Sequence, residues 1–172
     1  IIIAGVCYSQ TFTVNGIHYR AISGATPPAA EVVLGVPNYT GNVVIPSTVT
    51  FNTVVYDVKR IAYSAFSDCT GLTSVQIPNS VTSIQAYAFV GCTGLTSFVF
   101  PPAVTVIEEL TFSGCTGLTS IEIPATITSI KGSAFSGCTG LTTVAIHNQI
   151  SEIQSGVFVG CTGLTSITVA ND

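Results

Sequence analysis

Six cysteines carry the widest chemical scope in this chain: Cys7, Cys69, Cys92, Cys115, Cys138 and Cys161. Thiolates can ligate zinc, pair as disulfides or attack a substrate. Five of them, Cys69 to Cys161, stand 23 residues apart. If the chain coils with that period, they form one column with neighbours about 5 Å apart. A zinc site needs four ligands converging tetrahedrally. A straight column does not converge, and His18 and His147 lie outside it. Neighbours at that spacing fall within disulfide range, but their side chains point the same way, into an apolar layer. The column therefore reads as buried free thiols, each acting as a small hydrophobe. Neither a metal nor a cofactor is expected. Glu108 and Glu109 are the only adjacent acids and read as solvated at a coil edge. His147 takes the place of a turn proline, with no acid at a fixed short spacing, and reads as a surface turn residue. His18 sits on a hairpin arm. No Gly-x-Gly-x-x-Gly, Gly-x-Ser-x-Gly or Cys-x-x-Cys occurs, so no catalytic set emerges and an enzyme is not expected.

The elements that position the column follow from the period. Phe66, Phe89, Phe112, Phe135 and Phe158 share it, as do Leu72, Leu95, Leu118, Leu141 and Leu164. A fixed period of this length marks a repeat array. In the repeat running from Cys69 to Gly91, Leu72, Val75 and Ile77 alternate in a way that predicts a short strand with one buried face. Pro78, Pro101 and Pro124 end that strand, because proline has no N–H to donate. Val81–Ile84 predicts a second, shorter extended piece. Ala86–Phe89 is too short for a helix and predicts a 3₁₀ or single α turn. Gly91 and Gly94 are read as permissive corner residues. One coil cannot bury its own apolar face, but stacked coils can.

Composition agrees. Charged residues are 7% and apolar residues 47% of 172, which excludes a solvating disordered chain. Four Lys and Arg against eight acids leave no basic footprint for nucleic acid. No apolar run is long enough to span a membrane.

The pattern Cys-x-x-Leu-x-x-[Val/Ile]-x-Ile-Pro-x-x-Val-x-x-Ile-x-x-x-Ala-Phe-x-Gly resembles the leucine-rich repeats of the BspA-like (Treponema pallidum-type) class. The resemblance runs from Ile45 to the C-terminus. Phe100 replaces the strand isoleucine, Leu110-Thr111 the small residues before Phe112, and His147 the proline. The resemblance implies a leucine-rich repeat solenoid. That is a β-rich right-handed coil, with parallel strands on the concave face and short extended or 3₁₀ pieces on the convex face. It also implies a secreted or cell-surface bacterial protein that adheres to host matrix, cells or other proteins.

Residues 1–9 read as the remnant of a secretory leader, with an edge strand of the cap as the alternative. Residues 10–60 read as an N-terminal β-hairpin cap and first repeat strand, with Asn15-Gly16 as a two-residue hairpin turn. Residues 61–172 read as the repeats, with the last coil left uncapped at its C-terminal side. An uncapped coil exposes a strand edge, so end-to-end stacking of copies into filaments is the alternative to partner binding.

Outward positions flanking each strand's central apolar residue form the candidate binding stripe: Ser74/Gln76, Ser97/Val99, Ser120/Glu122, Thr143/Ala145 and Ser166/Thr168. The second member of each pair varies while the framework does not. Repeat proteins commonly bind on such a surface. Phe98 and Phe100 face the core. Thr73, Thr96, Thr119, Thr142 and Thr165 form a hydroxyl column, read as satisfying corner hydrogen bonds rather than matching a lattice.

Overall fold

The 23-residue period becomes one turn of backbone per repeat in the computed structural model, which describes residues 10–170. The leader or edge strand read at residues 1–9 lies outside the described residues. Strands and turns make up the architecture, with no helix among the described residues.

The N-terminal sheet begins with a hairpin of β1 (Thr11–Val14) and β2 (Ile17–Ile22). Asn15 and Gly16 between them hold φ of 50° and 76°. That is the mirror-image turn whose twist matches the flanking strands. β3 (Ala29–Val32) pairs antiparallel with β2 and parallel with β6 (Val54–Ile61). β5 (Thr48–Phe51) is the hairpin partner of β6, so the spatial order is β1-β2-β3-β6-β5. The sheet curls until Phe12 of β1 stacks on Phe51 of β5, 4.6 Å between centroids. Glu31, buried in β3, sits opposite Arg20 on one side and Arg60 on the other. It accepts from Arg20 Nε at 2.7 Å and pairs with Arg60 at 3.5 Å. The charge most expensive to bury is thus matched across both neighbouring strands.

Beyond this sheet each coil contributes to two faces. The long-strand face holds β4 (Gly41–Val44) paired parallel with β7 (Leu72–Gln76). It continues with β10 (Ser120–Glu122), β12 (Thr143–His147) and β14 (Ser166–Ala170) in one parallel sheet. The short-strand face holds β8 (Ser83–Ile84), which extends β6. It also holds the ladder of β9 (Val106–Ile107), β11 (Ser129–Ile130) and β13 (Glu152–Ile153). β7 and β10 stop before Pro78 and Pro124, whereas β12 runs on to His147. His147 is therefore a strand residue, not a turn residue: it has the N–H that proline lacks.

The segment expected as a 3₁₀ or α turn is neither. Alternate amides bond locally: Ala88 to Gln85 O, Val90 to Tyr87 O, Cys92 to Phe89 O. The amides between them cross to the next coil: Tyr87 to Glu109 O, Phe89 to Thr111 O, Gly91 to Ser113 O. A helix would spend every amide within the coil, whereas this spiral of β-turns spends half of them joining coils.

The core is built of columns. Phe66, Phe89, Phe112 and Phe135 are fully buried and stack at 5.0, 5.5 and 5.3 Å, with Phe158 following at 5.6 Å. Tyr39 caps the column, 4.7 Å from Phe66. Leu72, Leu95, Leu118 and Leu141 are fully buried, and Leu164 in the last coil is half-buried. The repeated glycines have two different causes. Gly91 has φ of +71° and needs the left-handed region. Gly94 does not; a Cβ there would lie 2.5 Å from Thr70 O and 2.9 Å from Leu72 O. It is a close-approach residue, which corrects its reading as a permissive corner.

Candidate binding face

The five column cysteines are all free and buried. Each later thiol donates to a phenylalanine carbonyl of the preceding coil: Cys92 to Phe66 O, Cys115 to Phe89 O, Cys138 to Phe112 O and Cys161 to Phe135 O, at 3.0–3.1 Å. Burial pushes the Cys92 and Cys138 thiols up to about 12, and neighbouring thiols in the column add to the shift. Burial likewise raises Cys69 and Cys161, and raises Cys115 well above its ordinary value. These thiols are donors inside the wall, not nucleophiles. The donor role was not legible from spacing alone. Among the described residues no group of three or more His, Cys, Asp or Glu gathers in a metal-binding arrangement.

The threonine column is also structural. Thr142 and Thr165 hydroxyls donate to the carbonyls of Thr119 and Thr142, both at 3.0 Å. His18, in β2, is half-buried; its Nδ1 lies 3.2 Å from Thr13 Oγ1, and its ring meets Tyr39 edge-on.

The structure brings the ten stripe residues onto the long-strand face. Gln76, Ser97, Val99, Ser120, Glu122, Thr143, Ser166 and Thr168 are exposed, while Ser74 and Ala145 are half-buried. Ser74 donates to Asn42 Oδ1 at 2.8 Å, extending the polar row onto β4. Within this face the coil of Leu95–Phe100 stands apart. Phe98 and Phe100 occupy the positions held by Val75 and Ile77, or Ile121 and Ile123, in neighbouring coils. Both are buried, and Phe98 packs edge-on against Phe89 and Phe112, at 5.2 and 4.7 Å. Two phenyl rings need more room than valine and isoleucine, and the backbone above them leaves the ladder. Ser97–Phe100 form no strand and make no backbone hydrogen bond among the described residues. The rungs beside them are stretched: Thr96 N to Thr73 O and Thr119 N to Thr96 O are 3.5 Å, against 2.9 Å for Thr142 N to Thr119 O. Two clefts flank the segment. One of about 230 Å³ lies toward Gln76, and one of about 220 Å³ lies toward Glu122. Val99 between them is 82% exposed. The sequence signal was the aromatic pair itself; the broken ladder it produces was not foreseen.

Electrostatics on this face are simple. Glu122 is the only ionised side chain in the stripe. All four cations are engaged elsewhere: Arg20 and Arg60 with Glu31, Lys59 with Asp57 at 3.3 Å, and Lys131 with Glu152 at 2.7 Å. Glu152 also accepts from Ser129 and Gln154, and the Lys131 hydrogen bond leads the set that holds its carboxyl down at about 2.

Stacked parallel strands, a leucine column and one turn per repeat define a leucine-rich repeat array. The chain belongs to the BspA type leucine rich repeat family, whose repeat region matches residues 53–172 in six copies. Among solved structures it resembles a leucine rich cell surface protein from Faecalibacterium prausnitzii, at 29% identity and TM-score 0.82 over 94% of this chain and 40% of that one. A leucine-rich repeat protein from Bacteroides ovatus matches at 32% identity and TM-score 0.83, over 91% and 40%. The T. pallidum leucine rich repeat protein matches at 28% and 0.78, over 92% and 71%. The chain thus spans 40% of the length of the first two. No curated protein sequence matches it. No helix is long and apolar enough to cross a membrane among the described residues.

Proposed function

We infer that this chain is a binding region of a secreted or cell-surface bacterial protein, a non-catalytic scaffold that attaches to another protein through its long-strand face. Adhesion to host matrix or to other cells is the form this binding takes. The observation that carries the reading is the stripe: side chains at Gln76, Val99, Glu122, Ala145 and Thr168 differ from coil to coil on a repeated framework. Val99 adds an 82% exposed hydrophobe at its centre. The cell-surface relative from F. prausnitzii supports the location.

The test is surface plasmon resonance against a panel of purified matrix and serum proteins, with Gln76→Lys and Glu122→Lys on one side of the comparison. Glu109→Lys makes the same charge change as Glu122→Lys at an exposed position off the stripe. Loss of binding in the first two with the third unaffected supports the reading. Equal binding by all three variants removes the long-strand face from consideration.

End-to-end stacking of copies is the second reading. It is favoured by the low charge of the chain, 7% of residues, which offers little repulsion between copies. Light scattering at micromolar concentration tests it: a concentration-independent monomer rejects it.

A further inference from the structure

We propose that the cleft between the Phe98–Phe100 segment and Glu122 is a guanidinium subsite, which takes an arginine side chain of the protein partner. The proposal rests on the reading that the long-strand face is the binding surface, and it names the chemistry the partner must bring.

The cleft has walls of two kinds. Val99 and Pro124 give accessible apolar side-chain surface, Phe98 and Phe100 lie behind them with their rings packed in the core, and Glu122 is acidic. Its volume of about 220 Å³ is that of about seven waters at roughly 30 Å³ each, ample for a planar head of four heavy atoms. The backbone along one wall is unusual. Ser97–Phe100 carry carbonyls and amides that no other described backbone or side-chain group satisfies. The neighbouring coils pair on their far sides, β7 with β4 and β10 with β12, and the ladder is broken on both sides of the segment. Oxygen acceptors are thus left free beside a carboxylate.

Charge complementarity decides the occupant. No lysine or arginine of the described chain reaches Glu122, because all four pair with Glu31, Asp57 or Glu152. The carboxylate is thus open to a cation supplied from outside. Among cationic side chains, guanidinium fits better than ammonium. It is planar, offers five donors in a fixed fork, and is weakly hydrated enough to lie against the accessible valine and proline surface. One edge meets the carboxylate in a charge-assisted pair. The remaining donors meet the free carbonyls of the segment. An ammonium would meet Glu122 but give up more hydration to enter the apolar walls.

The experiment uses the ¹⁵N-labelled chain and three small probes: N-acetyl-arginine methylamide, its lysine analogue, and its citrulline analogue, which keeps the shape without the charge. The expected result is saturable shifts confined to the amides of Val99, Phe100 and Ile121–Ile123, with arginine bound about tenfold more tightly than lysine and citrulline not saturating. Glu122→Gln should weaken arginine about tenfold. The double variant Phe98→Val, Phe100→Ile restores the residue types of the neighbouring coils and should close the ladder, removing the free carbonyls. It should lose the arginine preference while remaining folded by circular dichroism. Glu109→Gln should change nothing. Equal affinity for arginine and lysine, shifts spread over Asp68 and Glu109 as well, or an unchanged affinity in Glu122→Gln overturns the subsite. The two readings fail separately. If Gln76→Lys abolishes partner binding while the arginine probe gives no shift, only the subsite falls. If Gln76→Lys and Glu122→Lys both leave partner binding intact, the face itself falls.

Discussion

Replacing Gly94 by alanine should destabilise the chain, and replacing Gly132 should not. Three glycines differ in what a methyl group would meet. At Gly94 the added Cβ lies 2.5 Å from Thr70 O and 2.9 Å from Leu72 O. An ordinary carbon–oxygen contact is about 3.3–3.6 Å, so the coils must part by several tenths of an ångström. Both oxygens are backbone and cannot swing aside. Overpacking of this kind costs about 1–3 kcal/mol. Gly114 has φ of +73°, but its Cβ would meet nothing closer than 3.7 Å. Its alanine carries only the left-handed penalty, about 1–2 kcal/mol. At Gly132 the nearest atom is Ser155 O at 3.6 Å, and φ is ordinary. There alanine restricts the unfolded chain and should stabilise by about 0.4–1 kcal/mol. For a chain of this size about 1 kcal/mol moves the melting temperature by about 2–4 °C. Thermal unfolding followed by far-ultraviolet circular dichroism should therefore place Gly132→Ala above the parent, with Gly114→Ala and Gly94→Ala below it. A Gly94→Ala variant as stable as the parent, or a Gly132→Ala variant as unstable as Gly94→Ala, would refute the close-approach argument.

With Cys7 replaced by serine, native protein at pH 8 should leave all five column thiols unreacted toward a disulfide reagent, and urea should release all five. Because burial raises those thiols, the folded state keeps them protonated while the unfolded chain ionises above about 9. Stability should be full below that pH and fall as pH climbs toward 12, read as a descending urea midpoint. Glu152 has the opposite sign: its lowered carboxyl should titrate near 2 by carbon-13 NMR and return toward the ordinary glutamate range in Lys131→Met. Its contribution is present above the unfolded value and lost as pH falls toward 2. Phe112→Ala should cost about 3–5 kcal/mol by urea denaturation, since it opens a cavity between Phe89 and Phe135 and removes the wall for Phe98.

Repetition made much of the fold legible. A cysteine, a phenylalanine and a leucine recurring together reveal the coil and its inward positions before any local reading is attempted. What repetition does not carry is the identity of the hydrogen-bond partners. The turn after Ile84 reads as a 3₁₀ or single α turn, yet its alternate amides are drawn to the next coil, a partner 22 residues away. Gly91 and Gly94 look alike in sequence, yet Gly91 holds a positive φ while Gly94 is held by the backbone approach of Thr70 O and Leu72 O. Phe98 and Phe100 were legible as departures from the pattern. Their consequence depends on ring packing against Phe89 and Phe112, which no spacing expresses. His147 shows the same limit in miniature: losing a proline lets the strand continue to pair with β14. Candidate stripe positions follow directly from strand alternation, but the broken ladder at their centre does not.

The most direct measurement of the central claim is site-specific photo-crosslinking to whichever panel protein binds. A benzophenone side chain would be placed at Val99 on the long-strand face, and at Glu109 off that stripe as the reference. The account predicts an adduct from position 99 and none from position 109. Adducts from position 109 alone, or equally from both, would contradict it.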